Sequence, residues 1–332
     1  MYSSSASYQA VPAMDGYVMQ KPVRYPYDER KNNNSCCACC CCATTSCLCC
    51  CVCSLICFVA LVVCGALVIW NVAGNACNGD LQEFDHEQVY DFSSDLTISA
   101  YLSRAKVTFG RSLDGKIHVN IHERTSEDEA GATIVNDGEK LSISHPQSFW
   151  NFFKCYELDI TILLPDQRIH KIDLGIASPI NKKEKAVIFD TSLSVRKLHV
   201  ASGTCGISSK KISFEKIEII SGTGHYYFDS LVGDSHDSSA EIGTGTGSIT
   251  VGSIFQGQYD LGAGTGKVDA TLAENYQGTF NIKSGNKNVE VTGERATITK
   301  NGSQHKKGYV DSEEGSALKA ESGSAKVVLN VL

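Results

Sequence analysis

The rhythm of hydrophobic and polar positions changes once along this 332-residue chain, and the change divides it. From Leu48 to Trp70 there is no alternation at all. These 23 residues carry no charge, and Ser54 is the only clearly polar side chain. A helix of that length covers roughly 34 Å, enough to cross a hydrocarbon core of ~30 Å. One transmembrane helix is therefore predicted over 48–70. From Leu96 onward, apolar and polar residues alternate in short runs separated by Gly, Asp and Asn. Leu96-Thr-Ile98, Lys106-Val-Thr-Phe109, Lys116-Ile-His-Val119 and Leu158-Asp-Ile-Thr-Ile162 are examples. That pattern predicts β-strands with one buried face.

The second half of the chain repeats. A corner of the form Ser/Thr/Ala-Gly-Thr/Asn/Ser recurs with its glycine at Gly203, Gly222, Gly245, Gly264, Gly285 and Gly323, with a degenerate copy at Gly302. A short alternating strand precedes each of the first five, as in Leu198-His-Val200, Ile217-Glu-Ile219 and Tyr259-Asp-Leu261. A second strand often follows, as in Ile249-Thr-Val251 and Val268-Asp-Ala270. A unit of ~20 residues buries its inward side chains only by stacking on its neighbours. The fold class expected is all-β: a parallel β-solenoid with an N-terminal antiparallel β cap. Gly at each corner allows close approach and, where needed, positive φ. The aromatic residues Phe149, Trp150, Phe152, Phe153 and Tyr156 are expected to cover the open end of the stack.

The organisation that follows is a disordered tail over 1–35, a Cys-rich juxtamembrane segment over 36–47, the transmembrane helix over 48–70 and a linker over 71–95. The β cap and entry strands span 96–197, and the repeats span 198–332. The tail is rich in Ser, Tyr, Asn and Pro and poor in aliphatic residues, which argues against a packed core.

Charge orients the chain. Lys21, Arg24, Arg30 and Lys31 precede the apolar run. No Lys or Arg follows it until Arg104, and Asp80, Glu83, Asp85 and Glu87 occupy the far flank. This bias puts the N-terminus in the cytoplasm and the C-terminal domain outside or in a lumen, with the plasma membrane the expected location. A cleaved signal peptide does not fit, because a region of over 40 residues precedes the apolar run, far too long for one.

Thirteen of the 16 cysteines lie between Cys36 and Cys64. Cytoplasmic thiols stay reduced, so a disulfide framework is not expected there. Cys36, Cys37, Cys39, Cys40, Cys41, Cys42, Cys47, Cys49, Cys50, Cys51 and Cys53 sit at the predicted membrane surface as candidates for S-palmitoylation. A soft-metal cluster needs spaced ligands that wrap an ion, which adjacent cysteines beside lipid do not supply. On the outer side Cys155 and Cys205 can pair, though spacing alone does not decide it. Cys77 is left as a candidate intermolecular bridge. Asn301-Gly-Ser303 is the one outer glycosylation sequon.

Three tempting motifs fail. Gly262-Ala-Gly264-Thr-Gly266-Lys267 resembles a phosphate loop, but Leu261 stands where the first glycine belongs. Gly243-Thr-Gly245-Thr-Gly247 resembles a calcium repeat, but Ser248 replaces the liganding Asp. His118 and His122 lie ~13 Å apart along a strand, too far to share an ion. No metal or cofactor is expected. The longest spacing, 23 residues from Gly222 to Gly245, carries Asp229, Asp234, His236, Asp237 and Glu241. That acidic loop is the one place where a carbohydrate-active enzyme would work, if three carboxylates converged on a groove. Beyond the apolar run the chain holds 26 Lys and Arg against 34 Asp and Glu. This balance argues against nucleic acid or an anionic surface as a partner through bulk charge.

The strand Tyr156-Glu-Leu-Asp-Ile-Thr-Ile-Leu-Leu-Pro165, followed by repeated Ile-x-Ile-x-Ser-Gly-Thr-Gly units, resembles the adhesin-like family of β-solenoid domains of unknown function. In fungi similar domains occur in single-pass membrane proteins. The resemblance covers about residues 96–332. It implies surface adhesion or scaffolding, with surface glycans or proteins as partners, and no catalytic residue. It assigns no site to any position here. The expectation from sequence is a non-enzymatic, membrane-anchored surface protein, with the acidic-loop enzyme as the alternative.

Overall fold

Alternating strands bury one face only against other strands, and here they do so along their whole length. The computed structural model describes residues 81–145, 155–181 and 185–332. Within them every regular element is a strand. Among the described residues no helix is long and apolar enough to cross a membrane. The tail, the cysteine cluster, the predicted helix, Cys77 and the aromatic residues 149–153 lie outside them.

The first strands are β1 (Gln82–Tyr90), β2 (Thr97–Arg111), β3 (Ile117–Thr125), β4 (Thr133–Asn136), β5 (Lys140–Ser144), β6 (Tyr156–Leu164), β7 (Ile169–Ser178) and β8 (Lys185–Phe189). There follow β9 (Leu193–Ser202), β10 (Gly206–Thr223), β11 (Tyr226–Gly233), β12 (Ser239–Thr246), β13 (Ile249–Ile254), β14 (Gln258–Ala263) and β15 (Val268–Leu272). The last are β16 (Gly278–Ser284), β17 (Val289–Thr292), β18 (Ala296–Asn301), β19 (His305–Val310), β20 (Ser316–Ser322) and β21 (Val327–Val331).

These strands form two ladders, joined by the long strands β2 and β10, each of which serves both. One ladder runs β4-β5-β2-β7-β9-β10-β12-β14-β20-β16-β19-β18. The other runs β1-β3-β6-β2-β8-β10-β11-β13-β15-β21-β17. The middle of both is parallel. Antiparallel pairs close three of the four ends, β4 with β5 and β1, β3 and β6 at one side and β18 and β19 at the other, while the second ladder finishes on β17 in parallel with β21. Such pairs replace bare parallel edges, which would invite pairing with another chain.

Register turns the alternation into columns. Ile172, Leu198, Ile217, Ala240, Tyr259, Leu318 and Phe280 are successive partners down the first ladder. Val187, Ile207, Tyr226, Ile249, Val268, Val327 and Val289 do the same in the second. All of these side chains are buried. A one-residue slip would turn each column out to solvent, so burial fixes the register.

The corner glycines also form a column, in the spatial order Gly203, Gly222, Gly245, Gly264, Gly323, Gly285. A Cβ built on each of the last five would lie 2.1–2.8 Å from the carbonyl oxygen of the glycine before it. None of the six has positive φ. They are glycines because neighbouring backbones touch there, and the expected need for positive φ does not arise.

Three features depart from expectation. Strand β1 lies inside the segment read as a linker, because Phe84, His86 and Tyr90 turn half-buried toward the domain on a strand of few aliphatic residues. The parallel ladder begins at Thr97, not near residue 198, since β2, β7 and β9 are already in parallel register. The third departure is one of order. The last unit, β20 and β21, does not stack at the end. It sits between the units β14-β15 and β16-β17.

Candidate functional sites on the stack

The acidic loop follows β11, where Gly233 to Ser238 bulge out between two units. Its carboxylates do not gather. Asp234 is held by Arg168, which also reaches Glu215 at 3.2 Å, and Arg196 lies 3.3 Å from the same Glu215. Asp234 is therefore neutralised by a cation from the strand entry of β7, a partner that sequence spacing did not reveal. His236 Nδ1 lies 3.1 Å from the Ser316 hydroxyl, 80 positions away in sequence. Asp229 lies beside the Tyr227 hydroxyl and pushes its pKa up. A cleft of about 320 Å³ adjoins the loop and is lined by Val232, His236, Phe255, Gln256, Asn275 and Gln277, with no carboxylate. Glu241 lies elsewhere, on β12, between Glu218 and Asp260 on the outward face. Among the described residues no three His, Cys, Asp or Glu side chains are grouped to hold a metal ion.

The loop is also less free than an insertion would be. A Cβ on Gly233 would lie 2.4 Å from the Gln256 carbonyl oxygen. Gln256 Nε2 donates back to the Gly233 and Asp234 carbonyls at 3.0 and 3.1 Å. The loop base is thus stitched to the next unit.

The two outer cysteines do not pair with each other. Cys205 is a free thiol, fully buried, and burial pushes its pKa up to about 11. Its sulfur lies 3.6 Å from the Ile176 carbonyl, inside the parallel stack. Cys155 is disulfide-bonded, to a partner outside the described residues. It sits at the entry to β6, next to the antiparallel end, so the two cysteines belong to different parts of the ladder.

His118 and His122 are separate, as their spacing implied. His118 Nε2 meets Asp114 at 2.9 Å, and His122 Nδ1 meets Asp85 across to β1 at 2.8 Å. Asn301 is exposed at the end of β18, opposite Lys306, just before the turn to β19. The eleven candidate acylation cysteines lie outside the described residues.

One buried charge gave no sequence signal. Glu123 is fully buried on β3. Its carboxylate accepts from the amides of Gly131 at 3.0 Å and Ala132 at 2.9 Å, and lies 3.2 Å from His145 Nε2. The His145 ring stacks on Tyr156 at 3.8 Å. Burial alone would raise the Glu123 pKa, but the His145 and amide hydrogen bonds outweigh it, and the net shift is downward. The cradle fixes the 126–132 loop over the antiparallel end. It is built to hold a carboxylate, not to present one.

Scanned against known protein families, the chain matches none, and no curated protein matches it. Solved structures show a loose likeness. A "putative cell adhesion protein" from Clostridium sporogenes aligns over 76% of this chain and 100% of its own, at 13% identity and a TM-score of 0.33. A "putative adhesin" from Bacteroides fragilis aligns over 75% and 97%, at 15% identity and a TM-score of 0.37. A "putative lipid binding protein" from Parabacteroides distasonis aligns over 77% and 98%, at 9% identity and a TM-score of 0.35. At those scores the likeness decides neither fold nor role.

Proposed function

We propose that this chain is a membrane-anchored surface protein whose outer domain is a β-solenoid used for adhesion or scaffolding. The observation that carries the reading is the unbroken pair of ladders from β1 to β17 and from β4 to β18, following an uncharged run of 23 residues. A stacked, cross-paired body of this kind is stiff and long. At ~4.8 Å per strand the second ladder extends about 48 Å. Its surface offers repeated polar columns rather than a single pocket, the form suited to extended ligands. The N-terminal tail is cytoplasmic in this reading, and the Cys36 to Cys53 cluster is acylated. Acylation there adds little holding power to a spanning helix and serves to set tilt or lateral sorting.

The acidic-loop enzyme is the weaker reading, because Asp234 is engaged by Arg168 and the adjoining cleft lacks a carboxylate. The test is display of the full chain on a non-adherent cell, followed by attachment assays on surfaces coated with glycans or with cell-surface proteins. Attachment that depends on residues 96–332 supports the reading. Indifference to every surface, together with release of reducing ends from a polysaccharide that is abolished by D234N, would replace it with the enzyme.

A further inference from the structure

Outward charge is segregated along the stack. Down the first ladder one outward column reads Asp173, His199, Glu218, Glu241, Asp260 in register. It continues as Lys319, Asn281, Lys307, Lys300. Asp260 and Lys319 meet at the changeover, 2.9 Å apart. The domain is acidic as a whole, yet its β16-to-β19 end is basic.

At that end lies a cleft of about 520 Å³ lined by Lys287, Asn288, Val289, Glu290, Lys306 and Lys326. Lys326 is held by Glu290. Lys287 and Lys306 have no ion-pair partner among the described residues. Two titrating groups report the local field. A hydrogen bond from Lys326 and the charges of Lys326, Lys306 and Lys267 lower the Glu290 pKa. Burial lowers that of His305, and so do the charges of Lys300, Lys283 and Lys307.

A lone surface lysine is normally just solvated. Here several converge on a concavity of the size that holds a small ligand or a sugar unit, beside an amide and one paired carboxylate. The cleft lies at the start of β17, closed by Lys306 from β19 and by Lys326 just before β21.

We infer that this cleft binds an anionic polysaccharide, with Lys287 and Lys306 contacting its sulfate or carboxylate groups. Lysine acts as a compact point charge toward such groups, and Asn288 offers an amide to a sugar hydroxyl. The inference gives the surface reading a ligand class. It rests on that reading only for where the ligand is met, and binding and sidedness are measured separately.

The test uses the full-length chain in neutral detergent micelles. The probes are a sulfated polysaccharide, an unsulfated polyuronate, a neutral polysaccharide, inorganic sulfate and vesicles of anionic lipid. Binding to the sulfated chain or the polyuronate is expected, absent for the neutral one, and the two acidic probes tell sulfate from carboxylate recognition. K287Q/K306Q should weaken it about tenfold and flatten its salt dependence. The control K106Q, at the opposite end and paired with Asp159, should leave it unchanged. Unfolding temperatures of the variants should match the parent. Equal binding by K287Q/K306Q overturns the proposal. So does binding to lipid vesicles but to neither acidic polysaccharide, or failure to bind any probe.

Discussion

Gly264 and Gly323 are 59 positions apart in sequence and in contact in space: a Cβ on Gly323 would lie 2.4 Å from the Gly264 carbonyl oxygen. Gly285, the next corner in sequence after Gly264, instead meets Gly323, at 2.1 Å by the same measure. The C-terminal unit therefore completes the stack from within. Its strand β20 pairs with β14 on one side and β16 on the other, and β21 pairs with β15 and β17.

Removing residues 312–332 should for this reason do more than trim an end. It strips Leu318, Val327 and Leu329 from the core, each worth ~1.5–3 kcal/mol when buried, and leaves four strand edges unpaired. The sum is comparable with the ~5–15 kcal/mol that holds a typical domain folded. The truncated chain is expected to lose cooperative unfolding and to aggregate. L329A alone should cost about 2–5 kcal/mol, readable as a fall in Tm. A truncated chain that melts like the parent would mean that β20 and β21 are an appendage.

The glycine column predicts a contrast between neighbours. G245V and G264V force a side chain into a carbonyl 2.6 and 2.3 Å from its Cβ, and each should cost about 1–3 kcal/mol or more by overpacking. G233V, on the loop, should also be costly, since its Cβ meets Gln256 at 2.4 Å. G262A, with nothing within 4 Å of its Cβ, should change Tm little. Thermal unfolding of the four variants tests the close approach directly.

Glu123 predicts an acid-sensitive antiparallel end. Its folded pKa is lowered, so the carboxylate contributes stability that is present above its unfolded value, ~4.3, and lost as pH falls through the folded value. Hydrogen exchange at Gly131 and Ala132 should quicken as pH drops below 4.3, after correction for the intrinsic rate. E123Q should remove most of that added pH dependence. Unchanged protection down to pH 2 would show that the cradle does not depend on the charge.

The cysteines predict a labelling pattern. A neutral alkylating reagent at pH 7 should miss Cys205 in the folded chain, since its thiol is buried with a pKa of about 11. Cys205 should react fully after unfolding without reductant. Cys155 should react only after reduction. Peptide mapping without reductant should return the Cys155 peptide linked to the Cys77 peptide, since Cys77 is the remaining cysteine beyond Trp70. Gln82, the first residue of β1, lies opposite Thr125, next to the Ser126 that hydrogen-bonds Cys155, and five residues span up to ~18 Å.

Much of the all-β class was legible because Leu198, Ile217 and Ile249 and their kin sit at period two, and period two has one physical meaning in short apolar runs. The corner glycines were legible as well, although Gly245 and Gly264 serve close approach and not positive φ. The position of β20 was not legible, because Leu318 would fill its column equally well after Phe280 or before it. Strand β1 was hidden because the apolar positions of Gln82–Tyr90, Phe84, Val89 and Tyr90, do not alternate, and the strand borrows its ladder from β3. Of the candidate sites, the Arg168 partner of Asp234 and the cradle of Glu123 depend on contacts across 66 and 9 positions. Neither distance follows any local period, so no pattern in sequence marks them. The basic end was visible as Lys283, Lys287, Lys300, Lys306 and Lys307. It was masked by the net acidity of the whole domain.

The central claim is that the stack is displayed on the far side of a membrane from the N-terminal tail. The most direct measurement places one epitope at Met1 and another after Leu332, and stains cells with and without permeabilisation. The account predicts that the C-terminal epitope stains on intact cells and that the N-terminal one stains only after permeabilisation. Staining of the N-terminal epitope alone on intact cells, or release of the whole chain into the soluble fraction, would contradict it.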